Sequence, residues 1–239
     1  MHASTVGRCT IGWAIKPATM RSAFADLRRT LEEIAAAGIE AVELPIEAAP
    51  IVSVSALREA VEDLGLTLSA RMTGNRFHKS PSHAFGVARD LGCSFLVADA
   101  LEPREHRRWH DASRETGVNL VLDTASLDGC NPNCGLQTKV LVVLGTTNDA
   151  TRSGSALLRA AGERLGCVRL VPSGDDAGGA SLLLEREWAA ALAGCAYAGP
   201  IICSGDAQLQ ASFGNLTAAR RLLRWTEKIE WELSFGLHA

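Results

Sequence analysis

Ten charged or amide side chains stand where short apolar runs of this 239-residue chain give out. Lys16 follows the run Thr10–Trp13, Glu43 lies at the end of Ala41–Leu44, and Arg71 closes Thr67–Arg71. Asp99 closes Ser94–Asp99 and Asp123 closes Val118–Asp123. Asn148 and Asp149 follow Val140–Leu144, Asp175 and Asp176 follow Val168–Val171, and Asp206 follows Pro200–Cys203. A carboxylate that ends an apolar run must be paired or neutralised, and such groups are the usual general acids and bases, so Asp123, Asp99 and Glu43 are the candidate catalytic carboxylates. Glu43 has a second reading, as a brace for Lys16 or Arg71. His78, in the segment Gly74-Asn-Arg-Phe-His-Lys-Ser-Pro81, is the histidine placed to act as a base near neutral pH. Lys16, Arg71, Arg169, Asn148 and Asp206 are candidate substrate-binding groups. Asp175, Asp176 and Asp206 can equally cap the helices that follow them.

Several other chemistries lack their residues. There is no Gly-x-Ser-x-Gly elbow for a serine nucleophile, no Gly-Lys-Ser/Thr phosphate loop, and no glycine fingerprint after the first apolar run. Two glycine-bearing stretches, Ser173–Gly179 and Ser204–Asp206, could present backbone N–H groups to an anion, but their aspartates oppose it. His106 and His110 are four residues apart, without the glutamate of a zinc-helix motif, and read as a surface pair. Seven cysteines are dispersed, and five (Cys9, Cys93, Cys167, Cys195 and Cys203) fall in or beside apolar runs, as reduced buried thiols do. Cys130 and Cys134 flank Asn-Pro-Asn in a loop without a second pair to complete a zinc site.

The elements that must position these groups are set by a beat. Short apolar runs return eight times, roughly every 21 to 33 residues, with helical spacing between most of them. The helix from Ser22 to Ala37 aligns Phe24, Leu27, Leu31, Ile34 and Ala35 and stops at Gly38. Those from Ser55 to Leu64, Ser82 to Leu91 and Glu102 to Thr116 stop at Gly65, Gly92 and Gly117, each just before the next run. Further helices are expected from Ser155 to Leu165, from Leu184 to Ala193, and from Asn215 towards Trp231. Between Asp123 and Val140 the composition is that of a loop, so the fifth crossover is abbreviated. Eight strand–helix units in a chain near the usual ~250 residues specify an α/β protein with a (β/α)8 TIM barrel as its single domain, residues 1–239, and function is then expected at the C-terminal ends of the strands.

The joints Leu31-Glu-Glu-Ile-Ala-Ala-Ala-Gly-Ile-Glu-Ala-Val-Glu-Leu44, Leu64-Gly-Leu-Thr-Leu68 and Ala88-Arg-Asp-Leu-Gly-Cys-Ser-Phe-Leu-Val97 resemble the xylose isomerase-like TIM barrels, the sugar phosphate isomerases and epimerases. That resemblance implies a divalent metal (Mn, Mg, Co or Zn) held by Glu, Asp, His and Glu after strands five to eight, polarising a carbonyl or hydroxyl while carboxylates move the neighbouring proton. This sequence departs from the pattern. Asp123 stands for the first ligand, Gly145 or Thr146 for the second, Arg169 lies nearest the third, and Ser204 and Gly205 replace the fourth. Asp123 is the single candidate retained at a ligand position, and a metal of the family type is not expected. The resemblance implies an isomerase- or epimerase-like enzyme acting on a small polyhydroxy or keto substrate. A lyase, dehydratase or cyclase using the same enolisation, or a silent barrel binding a ligand or partner, stays open.

The net charge of −3 gives no basic footprint for nucleic acid, and no apolar segment reaches the ~20 residues of a membrane span. The first residues lack the apolar core of a secretory signal, so a cytoplasmic protein is expected. A small-molecule substrate is the expected partner. The apolar-rich tail from Trp225 to Leu237 offers a surface for a homo-oligomer.

Overall fold

A computed structural model describes residues 9–15, 24–46, 53–72, 80–98, 101–102, 104–123, 139–145, 148–171, 187–188, 190–192, 194–195 and 197–204. Eight parallel strands close on themselves in chain order: β1 (Thr10–Ala14), β2 (Ala41–Pro45), β3 (Thr67–Met72), β4 (Phe95–Ala98), β5 (Asn119–Asp123), β6 (Lys139–Gly145), β7 (Leu165–Val171) and β8 (Pro200–Cys203). Closure is made by β8 pairing with β1, Ile202 opposite Gly12. Each apolar run of the sequence is a strand, and the fold is the expected (β/α)8 barrel.

The helices are α1 (Phe24–Ala36), α2 (Val54–Asp63), α3 (Pro81–Asp90), α4 (His106–Thr116) and α5 (Asn148–Ala161). α1 buries Leu27, Leu31 and Ile34, and α2 buries Leu57, Ala60 and Val61, so each lays one stripe on the sheet. Ser53 caps α2, its hydroxyl accepting from the Ala56 N–H. Between α3 and α4, Phe85 and Trp109 meet edge to face at 5.8 Å. Gly38, Gly65, Gly92 and Gly117 all take φ between 65° and 82°, so the four expected glycine stops are left-handed turns that release each helix into the next strand.

Several boundaries differ from the sequence reading. α5 begins at Asn148 instead of Ser155, seven residues earlier, and β7 begins at Leu165 instead of Val168. Gly154 lies inside the longer helix: a Cβ there would lie 2.8 Å from Leu144 Cδ2, so the glycine permits close packing of α5 on β6. Similarly, a Cβ on Gly166 would stand 2.6 Å from Lys139 Cβ, beside the irregularity in the β6–β7 register. α4 begins four residues later than expected, because Glu102 to Glu105 form a turn closed by Glu105 N–H to Glu102 O at 2.8 Å. The segment Asp123 to Val140 beyond its strand ends, the helix from Leu184 over its first residues and the helix from Asn215 lie outside the described residues.

Alternation along the strands divides the core in two. Trp13, Val42, Leu44, Leu68, Ala70, Leu96, Leu122, Val140, Val142, Val168 and Ile201 face outward into one cluster with the helices. Phe95, Val97, Val121, Leu141, Cys167 and Ile202 form a second cluster inside the barrel, with Ala14 and Val143 packed against it. Registers around the closed sheet set the inner levels, alternate strands contributing to each. Glu43, Val97, Leu141 and Ile202 share one level from β2, β4, β6 and β8. Ala14, Arg71 and Arg169 share the next towards the strands' C-terminal ends, with the backbone position of Asp123 on β5 completing it.

Candidate functional site

Among the described residues, the middle of the inner face is apolar except at these two levels and at Ser69 just below them. Among the described residues, Glu43 in the middle of β2 and Arg169 in the middle of β7 are large ionisable side chains that the barrel encloses, 2% and 3% exposed. Their placement follows from period two: Val42 and Leu44 must face the helices, so Glu43 between them faces inward, and Val168 and Leu170 do the same for Arg169. Although 126 residues separate them, Arg169 Nη2 donates a short hydrogen bond to Glu43 Oε1. Two further polar atoms of the pair, Glu43 Oε2 and Arg169 Nε, have no hydrogen-bond partner among the described residues.

Burial raises the Glu43 carboxyl from its ordinary 4.5 to about 7, against the pull of the nearby Arg71 guanidinium, which lowers it. Arg71, half-buried on β3, therefore belongs to the same electrostatic group. Cys167 lies on β7 two residues before Arg169. Its thiol is held well above 9.0, first by burial and then by the charge of Glu43, with Arg71 opposing; it is a packing group and not a nucleophile. Ser69, also on the inner face, donates to the Val42 carbonyl at 3.4 Å.

The sequence-derived candidates thus divide. Glu43, Arg71 and Arg169 are brought together, and Glu43 takes Arg169 as its hydrogen-bonded partner, where the sequence offered Lys16 or Arg71. Asp123 is the last residue of β5, its backbone level with Leu141 of β6, and Asn148 is the first residue of α5, as a residue following β6 should be. Lys16, His78, Asp99, Asp149 in its side chain, Asp175, Asp176 and Asp206 lie outside the described residues. His106 corrects an expectation: instead of standing on the surface it is 7% exposed, its Nε2 3.3 Å from the Leu101 carbonyl oxygen, while His110 is half-buried. Sequence reading named Cys167 only as a buried thiol and passed over Ser69. Inward alternation on β3 and β7 is the signal that places both.

Of the implied metal positions, those that the structure describes in full do not supply the family's ligands. Gly145 ends β6 without a side-chain donor, and Ser204 turns its hydroxyl to the Leu170 carbonyl at 3.4 Å. Arg169 brings a fixed positive charge that opposes a second cation. Among the described residues no three His, Cys, Asp or Glu side chains are grouped to hold a metal ion.

Neither a protein-family model nor a curated protein matches the chain. Solved structures do. L-ribulose 3-epimerase matches with a TM-score of 0.73 at 16% identity, over 95% of this chain and 97% of that one. D-allulose 3-epimerase from Methylomonas sp. matches at 0.67 and 18%, over 93% and 98%. D-psicose 3-epimerase from Clostridium cellulolyticum H10 matches at 0.62 and 15%, over 96% and 98%. The likeness is one of fold. It agrees with the resemblance to xylose isomerase-like barrels carried by the first half of the sequence. An orotidine 5'-monophosphate decarboxylase from Methanocaldococcus jannaschii, at 0.62 and 8%, shares the same architecture with a different reaction, so function must be argued from the interior. No helix among the described residues is long and apolar enough to cross a membrane.

Proposed function

We propose that the protein is an isomerase- or epimerase-like enzyme that moves a proton next to the carbonyl of a small polyhydroxy or keto substrate, with Glu43 as the acid–base group. The observation that carries this reading is the enclosed Glu43–Arg169 pair. A buried ion pair is a poor source of stability, since desolvating two charges costs about as much as their attraction returns, and well-packed apolar residues often serve as well or better. A barrel that needed only packing would continue Val97, Leu141 and Ile202 through the level. Instead it keeps a carboxyl raised to about 7, where an acid–base group works best at neutral pH. The pair also lies in the half of the barrel nearest the strands' C-terminal ends, where barrel enzymes place their chemistry. Arg71 and Arg169 supply positive charge towards an oxygen of the substrate. Asp123, Asp99, His78, Lys16, Asn148 and Asp206 stand as further candidates by their place in the chain.

The test is solvent exchange. Ketoses and hydroxy keto acids are incubated with the protein in D2O, and loss of the C–H signal adjacent to the carbonyl is followed by NMR. The wild type exchanges at least one substrate of the panel, and Glu43→Gln, nearly isosteric, slows that exchange by about 100-fold or more. Equal rates in the two proteins would refute the assignment. A second reading, a barrel that binds without catalysis, is favoured by the 2% exposure of Glu43; ligand binding with no exchange by the wild type would select it.

A further inference from the structure

Resting on the acid–base reading above, we infer that the guanidinium of Arg169 is the resident cation of this site, replacing a divalent metal as the group that polarises an α-hydroxycarbonyl substrate. Three observations lead there. Arg169 occupies β7, the strand from which the resemblance calls for a metal-bound histidine, and it cannot be discharged under any ordinary condition. It is fixed in place: 3% exposed, with Nη2 committed to Glu43 Oε1. Its Nε–H and the second oxygen of Glu43 are a donor and an acceptor, both enclosed and both without a partner among the described residues. A buried donor and a buried acceptor left unmet cost about 1–3 kcal/mol each, so the two atoms call for a partner that both accepts and donates.

An α-hydroxycarbonyl unit does both. Its carbonyl oxygen accepts from Arg169 Nε–H, and its hydroxyl-bearing carbon presents a proton to Glu43 Oε2. In the step, the ionised Oε2 takes the proton from that carbon, the C–H electron pair becomes the carbon–carbon double bond of an enediolate, and the carbonyl π pair moves to oxygen. The new oxyanion is held by the guanidinium. Return of the proton from Glu43 to carbon restores a carbonyl compound with no oxidant, reductant or co-reactant. The positive charge is preorganised, and no carboxylate or imidazole need be spent on ligating an ion.

The experiment uses the full chain dialysed against EDTA and has two readouts. In the first, Mn2+ is titrated and free ion followed by EPR. In the second, glycolohydroxamate, a mimic of the enediolate, is titrated by calorimetry in the continued presence of EDTA, against wild type, Arg169→Lys and Arg169→Met. The inference expects no Mn2+ site filled below millimolar ion, hydroxamate bound by the metal-free wild type, a loss of about 10-fold or more in Arg169→Met, and a smaller loss in Arg169→Lys, which keeps the charge and guards against a folding artefact. A stoichiometric Mn2+ site, hydroxamate binding only when Mn2+ is added, or equal binding by wild type and both variants overturns it. Those outcomes are separable from failure of the acid–base reading: solvent exchange that depends on both Glu43 and Mn2+ would leave that reading intact and remove this one.

Discussion

Replacing Arg169 by methionine keeps most of the side-chain volume inside the barrel and removes the charge that meets Glu43. With the carboxylate still ionised, breaking a buried pair this way costs about 3–5 kcal/mol. Glu43 can escape most of that by taking a proton, which turns the cost into a pH dependence. In the wild type the carboxyl is raised from 4.5 to about 7, chiefly by burial. A raised carboxyl binds its proton more tightly folded than unfolded, so its contribution to stability is full below about 4.5 and is lost as pH rises through about 7. Between pH 6 and 8 that single group removes about 1.3 kcal/mol from the wild type. Without Arg169 the folded carboxyl rises further, so the same interval removes more from Arg169→Met than from the wild type. Among the described side chains, the charged and titratable groups that act on Glu43 are Arg71 on β3 and Arg169 and Cys167 on β7. Urea unfolding of wild type, Arg169→Met, Glu43→Gln and the double variant at pH 6, 7 and 8 reads these slopes directly. Glu43→Gln and the double variant should lack this component of the slope. An Arg169→Met slope no steeper than that of the wild type would show that Glu43 is not the enclosed partner of Arg169.

Other consequences are simpler. Gly12→Ala would drive a Cβ into Ile202 Cδ1 and to 3.2 Å from Ala41 Cβ at the closing seam of the barrel, so it should lower stability by about 1–3 kcal/mol in urea unfolding. Trp109→Ala, which empties a nearly fully buried site against Phe85, should cost about 3–5 kcal/mol in the same assay. Cys93 and Cys203, whose thiols burial pushes up to about 12, should react with a thiol reagent in native protein at least 100-fold more slowly than in urea, read by peptide mass mapping.

Much of the fold was legible because a parallel barrel writes its elements locally. Strands covered on both sides are continuous apolar runs, and a helix that must return the chain ends on a glycine whose φ no other residue adopts cheaply. All four glycines expected to end helices do so, at Gly38, Gly65, Gly92 and Gly117. Legibility failed where a glycine served packing instead of a turn. Gly154 reads as a break, yet it sits within α5, because Leu144 and Trp188 leave no room for a Cβ there. His106 failed for a related reason: the charged residues around it describe an exposed helix, but its own position shares the buried stripe of Trp109 and Ala112.

The site was legible in its members and not in its pairing. Glu43, Arg71 and Arg169 each interrupt an apolar run, which marks them singly. Which of them meet is decided by closure, because the shear of the barrel brings the middle of β7 up to the level just above Glu43, across residues 126 apart in sequence. The same geometry gives the missing ligands a physical meaning. A barrel with only apolar residues inside would have no means of holding charge at its upper levels. This one places a guanidinium there, answers it with a carboxyl, and leaves Nε and Oε2 unmet by any described residue. Either partner without the other would be a buried unpaired charge. On the acid–base reading proposed above, a ligand that uses both accounts for their joint presence.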